Sequence, residues 1–195
     1  MLSQNNNKPV IYGVGDTEEI KKLILLAKEG DKEAFGKVYT ELYTPLYRYV
    51  ISRSKNVELA EDICQQTFLK FYEALGGYQP NKSPLAYLFT IAKHLLINEG
   101  TKQGSVEVDE SIFETTSDDS VDIIETTHIH LLAETINEYL PSLTHDEQEV
   151  IRLYFYSELG YKEISEVLDK EEASVRKIKE RALKKLRALT KHLHG

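Results

Sequence analysis

Between Ser174 and Lys191 lie eight Lys or Arg residues and a single Glu. Fixed cations repeated along one stretch are the chemistry that neutralises phosphate. Arg176, Lys177, Lys179 and Lys184 would line the outer side of a helix that Ser174 opens. Val175, Ile178, Ala182, Leu186 and Leu189 would form its apolar side. The alternative reading of this stretch is a solvated amphipathic helix with a basic face. A second group, Tyr87, Phe89, Lys93, His94 and Asn98, sets aromatic rings beside hydrogen-bonding and cationic groups. Rings at a polar edge stack on unpaired bases, each worth about 1–3 kcal/mol. A third row, Glu58, Asp62, Gln66, Lys70 and Glu73, with Glu61 and Gln65 at its edge, is polar throughout and suits a protein partner.

Other chemistry finds little support. His128 and His130 are two residues apart and point to different helical faces, and no Cys or carboxylate cluster completes a ligand set, so no metal is expected. Glu61 and Asp62 are adjacent and diverge on a helix, and acidic residues near a helix start are favoured by the dipole anyway. Gly-rich phosphate loops, nucleophile elbows and His–Cys pairs are missing. The expectation is a protein without catalytic residues or cofactors.

Helical periodicity supplies the elements that must position these groups. Ile20, Leu23, Ile24 and Ala27 follow a capping-box-like start at Asp16 and Glu19, and Gly30 closes that helix. Asp31 can cap a second helix that buries Phe35, Val38, Leu42, Leu46 and Val50, with a kink or restart expected at Pro45. Tyr39, Tyr43, Tyr47 and Tyr49 accompany this stripe as partly buried rings with wet hydroxyls. Leu59, Ile63, Thr67, Phe71 and Leu75, with Ala60, Cys64 and Phe68 beside them, mark a third helix. A loop with Gly76, Gly77, Pro80 and Asn81 leads to a fourth, capped by Ser83, begun at Pro84 and buried through Leu88, Ile91, Ala92 and Leu95.

Beyond it the pattern collapses into an acidic stretch, with helicity resuming near Ile123 through Leu132, Ile136 and Leu140 and stopping at Pro141. Thr144 and Glu147 form another capping box ahead of Val150, Ile151 and Tyr154. Ile164, Val167 and Leu168, a turn at residues 169–172 and the basic helix then have the form of a helix-turn-helix. The expected fold is all-α: a tail over residues 1–15, a four-helix domain over 16–99, an acidic linker over 100–127 and a helix-turn-helix domain over 128–195.

Charge follows this division. Residues 1–99 are net neutral, 100–139 carry −9 and 140–195 carry +1, for the total of −8 in 195 residues. Such a chain is a poor indiscriminate DNA binder, so local patches matter more than the total. The lone Cys64 excludes a disulfide framework and fits a reducing compartment. The polar N-terminus lacks the apolar core of a secretory signal, and no apolar run reaches membrane-spanning length, so a cytoplasmic protein without membrane insertion is expected.

The string AEDICQQTFLKFYEAL, followed by PLAYLFTIAKHLLIN, closely resembles the sigma-two domain of bacterial RNA polymerase sigma factors, of the small extracytoplasmic function type. GDKEAFGKVYTELYTPLYRYV resembles the family's opening helices, and GYKEIS and SVRKI resemble its second domain. The resemblance implies a protein that binds core RNA polymerase and directs promoter-specific initiation, with no enzymatic activity of its own. Glu61, Asp62, Gln65, Gln66, Thr67, Phe68 and Lys70 match the positions that dock the clamp helices of the largest polymerase subunit. The loop 76–83, with Tyr78, Asn81 and Lys82, would hold a flipped base of the melted minus-ten strand, and Tyr87, Phe89, Lys93, His94 and Asn98 would face that strand. Ser174, Arg176, Lys177, Lys179, Arg181 and Lys184 would read the minus-thirty-five duplex, and the acidic linker would thread the RNA exit path. An anti-sigma partner is implied by the family alone.

The chain departs from the family pattern at Glu99–Lys102, where Arg is usual, at Glu171 and Glu172, and at Ile178. The rival readings are a polymerase-binding module that no longer initiates and an ordinary helix-turn-helix repressor.

Overall fold

The computed structural model describes residues 17–79, 83–103, 138–157 and 159–190. Local caps set most of the helix boundaries. Helix α1 (Thr17–Lys28) ends where Gly30 turns left-handed at φ 100°, a conformation glycine adopts without steric cost. Asp31 then accepts from the amides of Glu33 and Ala34 at 2.9 and 3.0 Å and opens α2 (Lys32–Ser54). Asn56 caps α3 (Val57–Ala74) through Leu59 N–H at 2.8 Å. A 3₁₀ turn (Leu75–Gly77) follows, and α4 (Pro84–Gln103) begins with Ser83 Oγ accepting from Ala86 N at 3.3 Å. In the C-terminal half a 3₁₀ turn (Leu140–Ser142) precedes α5 (His145–Phe155), α6 (Tyr161–Leu168) and α7 (Glu172–Thr190). The expected capping box of Thr144 and Glu147 opens α5.

Three boundaries differ from expectation. Helix α2 runs unbroken through Pro45, because Leu42, Leu46, Tyr49 and Val50 are all fully buried and tertiary packing outweighs the one missing backbone bond. Helix α4 continues past Gly100 to Gln103, into the stretch assigned to the linker. Glu172 belongs to α7, so the turn is residues 169–171, with Asp169 in the left-handed region at φ 51°. Asp16 and the segment around Ile123, Leu132 and Ile136 lie outside the described residues. All regular elements among the described residues are helical or 3₁₀, as an all-α fold of two small domains requires.

Helices α1–α4 enclose one core, and α5–α7 pack together beside it. The two halves touch: α6 lies on α4, and α5 reaches α2. A single apolar cluster runs from Leu42, Phe71 and Phe89 to Ile164, Val167 and Val175. Tyr49 therefore differs from the wet tyrosine expected. Its ring is buried 5.5 Å from Phe89, and its hydroxyl donates to Glu149 Oε2 at 3.1 Å. Burial, then the Glu149 carboxylate, push its phenol above the usual range. Cys64 is also buried, and its thiol is pushed up to about 12 by burial and by Glu61, which leaves it unreactive.

Candidate nucleic-acid interface

Helix phase decides which of the expected residues share a surface. On α3, Glu58, Asp62, Gln65, Gln66 and Glu73 are exposed and fall on one side at 100° per residue, with Glu61 and Lys70 at its flanks. Leu69 sits in the middle of this polar row and is 58% exposed, and Tyr72 is 43% exposed beside it. Neither was expected at the surface, yet both are large apolar residues falling off the buried stripe, which is the signal that would have found them. Thr67 and Phe68 belong to the opposite face. Thr67 Oγ1 donates to Ile63 O at 2.6 Å, and Phe68 is buried 4.5 Å from the Tyr39 ring. The expectation that these two take part in docking is corrected: they lie beneath the exposed polar face and are not part of it.

On α4, Tyr87, His94 and Asn98 are spaced by seven and four residues, so they stand on one exposed stripe. Tyr87 packs its ring 5.9 Å from Phe71 and keeps 37% of its surface open. Phe89, two residues on, is rotated about 200° away and fully buried, so the expectation that it faces a strand is corrected: it is a core residue. Lys93 is also turned from this stripe, and its Nζ donates to the Val167 carbonyl of α6 at 2.7 Å. Tyr78 is buried, and its carbonyl accepts from Lys28 Nζ at 3.1 Å, which ties the start of the loop to α1. Asn81 and Lys82 lie outside the described residues.

On α7 the basic residues divide between two sides. Ser174, Lys177, Arg181 and Lys184 are exposed along one stripe and line a shallow depression with Lys170, Glu171, Ile178 and Glu180. Lys179 falls about half a turn away. Its Nζ rests 4.1 Å from the Tyr154 ring centroid and 4.7 Å from that of Tyr161, and donates to the Tyr161 hydroxyl. Arg176 Cζ also lies over the Tyr161 ring, 4.1 Å from its centroid, and the guanidinium pairs with Glu172. The outer side expected for Arg176, Lys177, Lys179 and Lys184 is thus corrected: aromatic rings on α5 and α6 draw the first and third of them aside. Buried Val175, Ile178, Ala182 and Leu186 hold the helix, whereas Leu189 is a third exposed, since the packed cluster ends at Leu186. No group of three metal-ligating side chains occurs among the described residues.

Two convex, polar helical faces and a basic stripe on a helix-turn-helix can bind a protein and nucleic acid, and comparison with known proteins agrees. A family model described as Sigma-70 region 2 matches residues 38–106, and one described as Sigma-70, region 4 matches residues 139–188. Among curated relatives, the ECF RNA polymerase sigma factor SigM of Bacillus subtilis is 27% identical over 154 residues, covering 78% of this chain and 93% of its own. The RNA polymerase sigma factor YlaC of the same organism is 29% identical over 142 residues, covering 70% and 80%. Of solved structures, CnrH in complex with the cytosolic domain of CnrY superposes with a TM-score of 0.68 at 21% identity, covering 89% of this chain and 98% of that one. RpoE in complex with the anti-sigma factor NepR from Bartonella quintana gives 0.64 at 20%, covering 82% and 98%. At such identity these structures speak for the fold alone. With both regions present in order, the chain belongs to the sigma-70 family as a sigma factor of the extracytoplasmic function type, which binds core RNA polymerase and directs promoter-specific transcription initiation.

Proposed function

We propose a division of labour among three surfaces. The α3 row of Asp62, Gln65, Gln66 and Lys70, with Glu61 and the exposed Leu69, docks the core enzyme. Tyr87, His94 and Asn98 on α4, with the loop 76–83, take the melted minus-ten strand. Ser174, Lys177, Arg181 and Lys184 on α7 enter the major groove of the minus-thirty-five element. The observation that carries this reading is the common stripe of these four α7 residues beside an open depression. Arg176 and Lys179 steady the helix through Tyr161 and Tyr154.

The domain division proposed is a four-helix domain ending with α4, the acidic stretch after it as connector, and a helix-turn-helix domain in the C-terminal half. The chain itself carries out no covalent chemistry and acts as a DNA-binding initiation factor. No described helix is long and apolar enough to cross a membrane, and we place the protein in the cytoplasm, where its polymerase is. An anti-sigma partner is proposed because a neighbour of the same fold was solved with one. Run-off transcription with purified core polymerase on a genomic fragment pool tests the reading. New discrete transcripts are expected; binding to core without transcripts would instead favour a non-initiating module.

A further inference from the structure

The carboxylates around the start of α7 are not equivalent. Asp146 pairs with Lys170 at 3.0 Å, and Glu172 pairs with Arg176 on the side turned away from the basic stripe. Glu171 stands exposed in the turn just before the helix. Its carbonyl accepts from Ser174 N at 2.9 Å and from Val175 N at 3.1 Å, which fixes its main chain to the first turn. Its carboxylate makes no capping bond and no ion pair among the described residues. It lines the same open depression as Ser174, Lys177 and Arg181.

An unpaired carboxylate among cations weakens their hold on phosphate, and Glu172 already meets the dipole of α7. A base edge gives the group a different use, because the first residues of a groove helix are those that reach the bases. A carboxylate only accepts hydrogen bonds. In the major groove guanine shows the acceptors N7 and O6, thymine an O4 acceptor and a methyl group, and adenine an acceptor N7 beside its amine. Cytosine alone shows an amine, at N4, with no acceptor next to it. We infer that Glu171 is a specificity-determining residue of the minus-thirty-five contact, accepting from N4 of a cytosine in that element. The inference rests on the reading of α7 as the groove helix.

Such a contact is expected to favour cytosine over another base, at one position of the element, about 5- to 150-fold. Glu180, which also lines the depression, lies about two and a half turns further along the chain and at the flank of the stripe. It is too far from the leading end of the helix to share this role, and its charge acts on phosphate whatever the sequence.

The test assembles core polymerase with the full-length chain and lets it select from a promoter fragment whose minus-thirty-five region is randomised; the bound DNA is then sequenced. Wild type is expected to fix a cytosine at one position. Glu171→Ala should lose that preference by the stated factor and keep its preferences elsewhere, because the main-chain bonds of residue 171 remain. Glu171→Gln, whose amide both donates and accepts, should turn the preference toward adenine, a switch that a merely structural role would not produce. Glu180→Gln should bind the whole pool more tightly with the cytosine intact. Identical selections by wild type and Glu171→Ala, or loss of the cytosine in Glu180→Gln instead, overturn the inference. Salt titration of Lys177→Ala on the same pool separates the two ways of failing. No selected cytosine with a lowered salt slope for Lys177→Ala strikes Glu171 alone. No selected base of any kind with an unchanged slope takes α7 out of the groove, and the Glu171 contact falls with it.

Discussion

Tyr87 and Phe89 are two aromatic residues of α4 separated by one position, and the structure exposes the first and buries the second. Phe89 is fully buried against Tyr49, so Phe89→Ala removes a large core ring, a change that costs about 3–5 kcal/mol. At roughly 4–8 °C per kcal/mol for a domain of this size, its melting point should fall by about 12 °C or more. Tyr87 keeps a third of its surface open and makes one tilted ring contact with Phe71, worth about 0.5–1.5 kcal/mol, so Tyr87→Ala should melt within several degrees of wild type. The functional cost runs the other way. Losing one stacked base at about 1–3 kcal/mol predicts promoter opening weakened roughly 5- to 150-fold, with polymerase binding spared. Thermal melting by circular dichroism and permanganate reactivity of promoter thymines with core polymerase measure the two effects. A Phe89→Ala variant that melts like wild type yet fails to open the promoter would refute the assignment, as would normal thymine reactivity with Tyr87→Ala.

On α7, Lys177→Ala, Arg181→Ala and Lys184→Ala should each lower the slope of log affinity against log salt by about one, whereas Lys179→Ala should leave the slope unchanged and lower the melting point as its contacts with Tyr154 and Tyr161 are lost; equal slopes in all four would contradict the two-sided division. Leu69→Asp on α3 should weaken binding to core polymerase about 10-fold or more, from the loss of one buried leucine at about 1.5–3 kcal/mol, and leave the melting point unchanged because the side chain is exposed; fluorescence anisotropy with labelled core measures it, and unaltered affinity would exclude Leu69 from the docking face. Glu147 is buried, which alone would raise its pKa, but hydrogen bonds from Lys185 and Thr144 hold it below the ordinary 4.5. A carboxyl lowered by folding stabilises above its unfolded value and loses that contribution as pH falls through the folded one. Acid titration of the C-terminal half should therefore show a steep loss below about pH 4.5 that Glu147→Gln flattens; identical acid profiles would remove Glu147 from the balance.

Caps and amphipathic stripes were legible from residue types alone because they are local. Asp31, Gly30, Ser83 and the Thr144–Glu147 box act within four residues of themselves. Asn56 acts the same way and could have been read from its place before Val57. Helix α4 hides its pattern for a different reason. It is packed from two sides, by α2 and α3 and by α6, so Leu85, Ala86, Leu88, Phe89, Ala92 and Leu96 are buried around much of its girth. A helix with two covered faces loses the single stripe on which periodicity depends. The same limit applies to Tyr49 and Glu149, a hundred residues apart, whose pairing no local pattern could announce. Arg176 and Lys179 look equivalent to Lys177 along the chain, and only the rings of Tyr154 and Tyr161 separate them.

The departures from the family pattern at the start of the recognition helix now have physical meanings. Glu172 does not stand bare: it is paired with Arg176, which lies over the Tyr161 ring. Ile178 is buried because its phase faces the core, where an arginine could not remain solvated. The exposed stripe then carries three cations, Lys177, Arg181 and Lys184, interrupted by Glu171 and Glu180. Three phosphate contacts give a salt slope of only about 3, far below that of a strong independent DNA binder. In a chain of net charge −8, α7 alone is therefore expected to hold duplex DNA weakly. On the proposed division of surfaces, useful occupancy requires that polymerase, engaged through α3, raise the effective concentration of α7 at its element, which would make promoter binding a property of the assembled holoenzyme.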